Sequence, residues 1–287
     1  MANMRDIRRR IRSVTNIQQI TKAMKMVASA RLQKAQGKAQ GAMPYTLRLK
    51  EILGELSGSE LSYVHPLMVK PKEKVGRVAY LLISADKGLA GAYSSNVIKE
   101  LLPSVRDRED ADIWVVGRKG YEYFTRRNYS IEKSYIGISE RPTATDAKGI
   151  CKDLIESFLS GKYDEIYVVF TQFFSAAHHV PRTLQLLPIE PEENAGESLG
   201  TNQSYILEPD EEEVLKWLVP AYVENLVFGA LNQSAASELG ARMAAMSSAT
   251  DNAKELIAKL TLHYNQVRQA GITREITEIV GGADALQ

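Results

Sequence analysis

The sequence predicts an α+β protein in which the N- and C-terminal segments form one long antiparallel two-helix coiled coil around an inserted α/β domain with a mostly parallel sheet. Three observations predict it. Apolar or small residues recur at three- and four-residue spacing through the first 56 positions. From position 209 onward the chain is poor in Gly and Pro and rich in small helix-compatible residues. Between these ends, short apolar runs alternate with helical ones.

The first segment, 1–57, places Ile7, Ile11, Val14, Ile17, Met24, Ala28, Ala35, Ala39, Ala42, Leu49, Leu53 and Leu56 on one helical stripe. The first Gly is Gly37 and the first Pro is Pro44, so a kink is expected around 41–44. Gly54 and Gly58 end the run. About 50 helical residues would extend about 75 Å, longer than a globular domain covers by itself.

The last segment, 209–287, opens with Pro209, Asp210 and Glu211 to Glu213, acids that favour a helix N-terminus. Its body carries Ala235, Ala236, Ser237, Gly240, Ala241, Ala244 and Ala245, which let a second helix approach closely. Neither terminal helix has a broad bulky apolar face, so each is expected to use a narrow stripe. Helices from opposite chain ends pack most simply as an antiparallel pair, with the tip of the longer C-terminal one projecting alone. The rival arrangement is two separate amphipathic helices folded onto the middle domain.

The middle segment, 75–190, contains three short strand-like runs at 78–84, 113–116 and 166–170. Helical runs at 94–106, 119–127 and 143–160 lie between or beside them, as in a largely parallel sheet covered by helices. Residues 183–187 predict an edge strand, and 190–203 an acidic loop.

Composition narrows the function. The single cysteine, Cys151, allows no internal disulfide and no CxxC pair, and it is expected to be a small, semi-buried residue. The longest apolar runs are too short to span a bilayer, and no signal-peptide core or presequence is expected. Net charge is only +1, but residues 1–50 carry twelve Lys/Arg against one acid, Asp6, while 51–208 and 209–287 are each acidic. The strongest cluster is Arg5-Asp-Ile-Arg-Arg-Arg-Ile-Arg12. It reads as a solvated helix face, as the partner of acids on the other terminal helix, or as a contact for an acidic protein surface; without aromatic interleaving, nucleic acid is not a favoured partner.

No catalytic set emerges. Asp86-Lys-Gly-Leu-Ala-Gly91 follows a strand and precedes a helix, where phosphate loops sit. It lacks both the GxGxxG and the GK[ST] pattern, so a tight strand-to-helix turn is the better account. His178 and His179 are adjacent and would point to opposite strand faces, so no metal site is expected. No cofactor is expected either.

Five segments carry a resemblance. Ile20-Thr-Lys-Ala-Met-Lys-Met-Val27, Asp86-Lys-Gly-Leu-Ala-Gly91, the Tyr205 to Asp210 stretch, Ala241-Arg-Met-Ala-Ala-Met246 with Ala249-Thr-Asp-Asn252, and Ile272-Thr-Arg-Glu-Ile-Thr-Glu-Ile-Val-Gly-Gly-Ala283 all resemble the gamma subunits of F-type ATP synthases. The match covers essentially the whole chain in order. The resemblance implies a non-catalytic central rotor stalk, one copy per complex, that transmits torque between a membrane c ring and a catalytic hexamer of α and β subunits. It implies partnership with α, β, epsilon and the c ring, without direct insertion into the membrane. A bacterial complex on the cytoplasmic face of the cell membrane is expected, without the dithiol insert of the chloroplast form.

By motif match, the resemblance also implies contacts. Met24 and Lys25 lie beside the acidic lever of the β subunit, where the family often has Glu at the Lys25 position. Arg242, Arg268, Gln269, Thr273 and Glu275 would hydrogen-bond α and β loops. Tyr205 and Glu208 would face the c ring and epsilon. The competing readings are a coiled-coil adaptor without a motor and a nucleotide-binding α/β enzyme.

Overall fold

A computed structural model describes residues 4–57, 63–69, 75–106, 110–190, 208 and 210–284. The loop expected at 190–203 (Glu190 apart), Gly58, Tyr205 and Pro209 lie outside the described residues, as does the side chain of Ala42. Among the described residues, five helices and five strands follow in the order α1 (Met4–Ser57), β1 (Val78–Ile83), α2 (Tyr93–Val105), β2 (Ala111–Val116), α3 (Arg118–Thr125), β3 (Ile131–Tyr135), α4 (Ala144–Leu159), β4 (Glu165–Phe173), β5 (His179–Leu187) and α5 (Glu211–Asp284). A short 3-10 turn, Pro66–Met68, precedes β1. The chain divides into two compact units, Met1–Ala28 with Met243–Gln287, and Ser29–Arg242.

The second unit is built on a five-stranded sheet ordered β3-β2-β1-β4-β5. The first four strands run parallel, and β5 adds an antiparallel edge. β1 and β2 are buried along nearly their whole length, which is why they read as unbroken apolar runs. One face packs Tyr80, Leu82 and Val115 against Val97, Ile98 and Leu101 of α2 and Phe124 of α3. The other packs Leu81, Ile83 and Val168 against Ile150, Cys151 and Leu154 of α4, Leu49, Leu53 and Leu56 of α1, and a row from Leu215 to Leu231 of α5.

That row corrects the expectation of a narrow stripe on each helix. The first third of α5 buries Leu215, Leu218, Val219, Tyr222, Val223, Val227 and Leu231, and so serves as a core helix of the sheet. Each such side chain contributes about 1.5–3 kcal/mol of burial. Part of the rival arrangement therefore holds here, because the domain-side stretches of both terminal helices do fold onto the sheet. A stretch of α5 is long and apolar enough to cross a bilayer by length and composition alone, and 44 % of it is buried within the protein, as in a core helix.

Local signals explain most boundaries. Asp210 Oδ1 accepts from the Glu213 backbone N at 2.8 Å and caps α5. Thr143 and Asp146 form a capping box that opens α4. α1 continues as a single helix through Gly41 and Pro44. β3 has no counterpart in the sequence reading: only Ile131 and Tyr135 are half-buried, with exposed residues between, so no apolar run marks it. Cys151 is fully buried rather than semi-buried, and burial pushes its thiol above the ordinary range.

The first unit pairs the start of α1 with the last part of α5. Among the buried or half-buried positions, one row on α1 runs through Ile7, Ile11, Val14, Gln18 and Thr21, and one on α5 through Met246, Thr250, Ala253, Ile257, Leu260, Tyr264 and Val267. Both sets alternate spacings of three and four. Thr21 meets Thr250, and Lys25 meets Ser247, so one helix descends as the other rises and the pair is antiparallel. Ile17, placed on the stripe by the sequence reading, is 49 % exposed, and Gln18 and Thr21 take the seam in its place.

Candidate functional site

The first unit presents the residues expected to meet other subunits. Met24 is half-buried beside the seam. Lys25 is exposed and donates from Nζ to Ser247 Oγ at 3.0 Å, so its charge is held on the side of the pair rather than left to swing freely. Near the far end of α5, Arg268, Gln269, Thr273 and Glu275 are all exposed. Around them Ile272, Ile276, Ile279 and Val280 are 48–72 % exposed, an uncovered apolar surface at a helix end. Arg8, Arg9, Arg10 and Arg12 are exposed on α1, with Arg9 in a surface pair to Asp6 at 2.9 Å.

Arg242 differs from the other candidate contacts in its surroundings. Expected to reach another subunit, it is 6 % exposed and is held within its own unit. Nη2 lies 2.6 Å from Glu238 Oε1, Nη1 lies 3.0 Å from Glu140 Oε1, and both Nε and Nη2 donate to the Gly88 carbonyl. Glu140 also receives Arg31 at 2.7 Å and Lys87 at 2.9 Å. One carboxylate thus joins α1, α5 and the loop after β1.

The electrostatics divide the two acids. Burial pushes the Glu140 carboxyl up, but the Lys87 hydrogen bond and the charges of Arg242, Lys87 and Arg31 outweigh it and hold the group below its ordinary range. Glu238 is 1 % exposed, and its Oε2 has no hydrogen-bond partner. Burial raises its carboxyl by more than Arg242 lowers it. Tyr93, fully buried at the start of α2, is pushed up by burial and by the Glu238 charge.

The Asp86 loop is tied from within. The Asp86 carboxylate accepts from the backbone N–H groups of Gly137, Ser139 and Arg118 at 2.9–3.1 Å, and its own N–H bonds Ser139 Oγ. Burial raises this carboxyl, but the backbone donors from Gly137, Ser139 and Arg118 win and hold it low. The acid that opens the motif therefore fastens the ends of β1, β2 and β3 together, and Gly88 offers its carbonyl to Arg242. His178 lies at the turn before β5 and is exposed, while His179 begins that strand. Among the described residues no three His, Cys, Asp or Glu side chains converge as a metal cluster.

Close approach explains one small residue of α5. A Cβ on Gly240 would stand 3.1 Å from the Ala176 carbonyl in the β4–β5 turn. Glu208 is exposed in a bend ahead of α5; Tyr205 lies outside the described residues. Sequence reasoning missed Glu140, Glu238, Arg31 and Lys87. The Glu238 and Arg242 pair carried a signal, since opposite charges four apart amid small residues belong on one helix face. Glu140 sits in a loop and carried none.

The same arrangement recurs in known proteins. The family model described as ATP synthase matches residues 3–286. An ATP synthase gamma chain from Heliobacterium modesticaldum is 47 % identical over 291 residues, covering all of both chains. The chain belongs to the ATP synthase gamma chain family. A second such gamma chain, from Desulforamulus reducens, is 46 % identical over 288 residues, again across the whole of both. The fold agrees with a chain of the Euglena gracilis mitochondrial ATP synthase at a TM-score of 0.70, 18 % identity and coverage of 99 % of this chain and 94 % of that one. A chain of the Tetrahymena thermophila mitochondrial ATP synthase central stalk and c ring gives a TM-score of 0.62 at 24 % identity, covering 80 % and 99 %. Family membership accounts for a pair of long terminal helices around an α/β domain.

Proposed function

We propose that this chain is the central rotor stalk of a proton-translocating F-type ATP synthase, transmitting torque between a membrane c ring and a catalytic hexamer of α and β subunits. The observation that carries the reading is the full-length relationship to ATP synthase gamma chains. The chain itself performs no chemistry in this scheme; catalysis belongs to the β subunits. It works at the cytoplasmic face of the bacterial membrane, as one copy in a peripheral complex.

The mechanical role fits the physical properties of the first unit. An exposed apolar helix end with Ile272, Ile276 and Ile279 offers a bearing that has few hydrogen bonds to break on turning. Met24 and Lys25 are assigned to the β lever, and Arg268, Gln269, Thr273 and Glu275 to α and β loops. Tyr205 and Glu208 are assigned to the c ring and epsilon. Arg242 keeps its assignment to α and β loops and also fastens α5 to the Asp86 loop, so that force on the helix reaches the sheet.

Co-expression with α and β subunits tests this, with and without residues 268–287. The expected result is a complex holding one copy of this chain per three α and three β, with ATPase turnover altered by the truncation. A chain that fails to co-purify and runs alone as a homodimer would favour the adaptor reading instead.

A further inference from the structure

The second unit contains a basic pocket that the rotor role does not use. Ala30, Arg31, Lys34, Ala35 and Lys38 of α1 form one wall; Glu140, Arg141 and Pro142 form the rim ahead of α4; Asn232 and Ala235 of α5 close it. The cavity is about 320 Å³, at the small end of the range for ligand sites.

Its charge is one-sided. Arg31, Lys34 and Lys38 follow at spacings of three and four and so share a helix face. Among the described lining residues the only acid is Glu140, which already takes Arg31, Lys87 and Arg242 and so leaves little negative field for the pocket. Lys34, Lys38 and Arg141 are exposed and form no ion pair among the described residues. The wall between the cations is mostly Ala and Pro, with Asn232, whose Nδ2 donates to the Phe228 carbonyl, as an uncharged polar side chain.

We propose that this pocket binds a compact polyphosphate chain, with the exposed Lys34, Lys38 and Arg141 as its cations and Arg31, whose Nη1 Glu140 already holds, at its edge. The shape favours this over an acidic protein segment: a helix about 10 Å across would rest on the rim without entering. Arg31 to Lys38 spans about 10 Å along α1, room for several linked phosphates rather than one. Mono- and bidentate N–H contacts to phosphate oxygens are charge-assisted and suit these side chains. Because the cations are exposed, the affinity falls with salt.

Calorimetric titration of the full chain with tripolyphosphate, orthophosphate and ATP tests the proposal. Saturable one-to-one binding of tripolyphosphate is expected, at least about tenfold tighter than orthophosphate, because more charges are matched. ATP equal to tripolyphosphate would identify the phosphate chain alone as the ligand; tighter ATP would add its nucleoside. The Lys34→Ala/Lys38→Ala variant should lose at least about tenfold, whereas Arg8→Ala/Arg9→Ala, with the same loss of charge elsewhere on α1, should bind normally. Equal losses in both variants would reduce the effect to general attraction to a basic helix and overturn the site. So would an absence of saturable binding, or binding of an acidic peptide without binding of tripolyphosphate. Far-UV circular dichroism of each variant separates loss of the site from loss of the fold.

Discussion

Thr21 Oγ1 and Thr250 Oγ1 meet at 2.9 Å across the seam of the first unit, one on α1 and one on α5. Each hydroxyl also has a carbonyl of its own helix in reach, Gln18 O for Thr21 and Met246 O for Thr250. A polar layer in a two-helix seam costs stability and fixes register, because a slipped pairing leaves hydroxyls against apolar neighbours. Replacing either residue by Val leaves the partner hydroxyl facing a methyl group. Thr21→Val and Thr250→Val alone should each cost about 1 kcal/mol, and the double variant less than their sum. Denaturant unfolding followed by circular dichroism measures this; additive losses would show that the two hydroxyls do not interact.

Arg242 is the residue whose loss should hurt most. Arg242→Ala would leave Glu238, 1 % exposed, without its cation. Breaking one side of a buried pair costs about 3–5 kcal/mol, far more than a surface contact. The Glu238→Ala/Arg242→Ala chain should recover part of the loss, because the stranded charge is gone. Urea midpoints of the three variants decide it, and a cost near that of an exposed arginine would sink the buried-network account.

How much of this was legible depends on where the information resided. The three- and four-residue spacing of Ile7, Ile11, Val14 and Ala28 predicted α1, and the unbroken apolar runs predicted β1, β2 and β4. Ile17 misled because it continues a plausible stripe; the seam instead follows Gln18 and Thr21, whose hydroxyl pairing is a tertiary fact. The core role of α5 was underread because Leu215 to Leu231 mixes with Ala and Asn, and its burial depends on the sheet beneath. β3 was invisible because an edge strand needs only two inward residues. The candidate contacts near Met24 and Arg268 came from resemblance, not from pattern. Arg242 came from the same resemblance, and its network with Glu238, Glu140 and Gly88 is a packing fact that no motif carries.

Glu140 and Glu238 should give opposite pH signatures. Glu140 is held below its ordinary value, so its contribution is present above the unfolded value of 4.5 and is lost as pH falls through the lower folded value. The stability advantage of the natural chain over Glu140→Gln should therefore shrink on acidification below about 4.5. Glu238 is raised, so its contribution is complete below the unfolded value and is lost as pH rises through the folded one. The natural chain should gain on Glu238→Gln as pH falls. Unfolding midpoints across an acidic pH series, with parallel slopes for both variants, would contradict the assignment.

Gly117 ends β2 at a φ of +92°, and a Cβ there would stand 2.3 Å from the Ser84 carbonyl oxygen. The obstacle is backbone, so no rotamer change relieves it. Gly117→Ala should destabilise the α/β domain by at least about 2 kcal/mol. Gly137, also at positive φ but with open space around its Cβ position, provides the comparison, and Gly137→Ala should cost less. Equal thermal shifts for the two would mean that torsion alone, and not the Ser84 contact, sets the penalty.

Met24 tests the rotor reading directly. It is half-buried on α1 and adjoins Lys25, whose ammonium is held by Ser247. In the proposed complex this face passes an acidic segment of the β subunit, so Met24→Lys adds a second cation to that encounter. Extra attraction at one angular position deepens a well that the rotor must leave on every turn, and deeper wells waste torque. ATP synthesised per proton in membrane vesicles should fall, while assembly and the affinity for α and β are retained. Salt should restore part of the loss, because an exposed ion pair is screened over about 8–10 Å. An unchanged yield per proton would place Met24 away from the acidic lever.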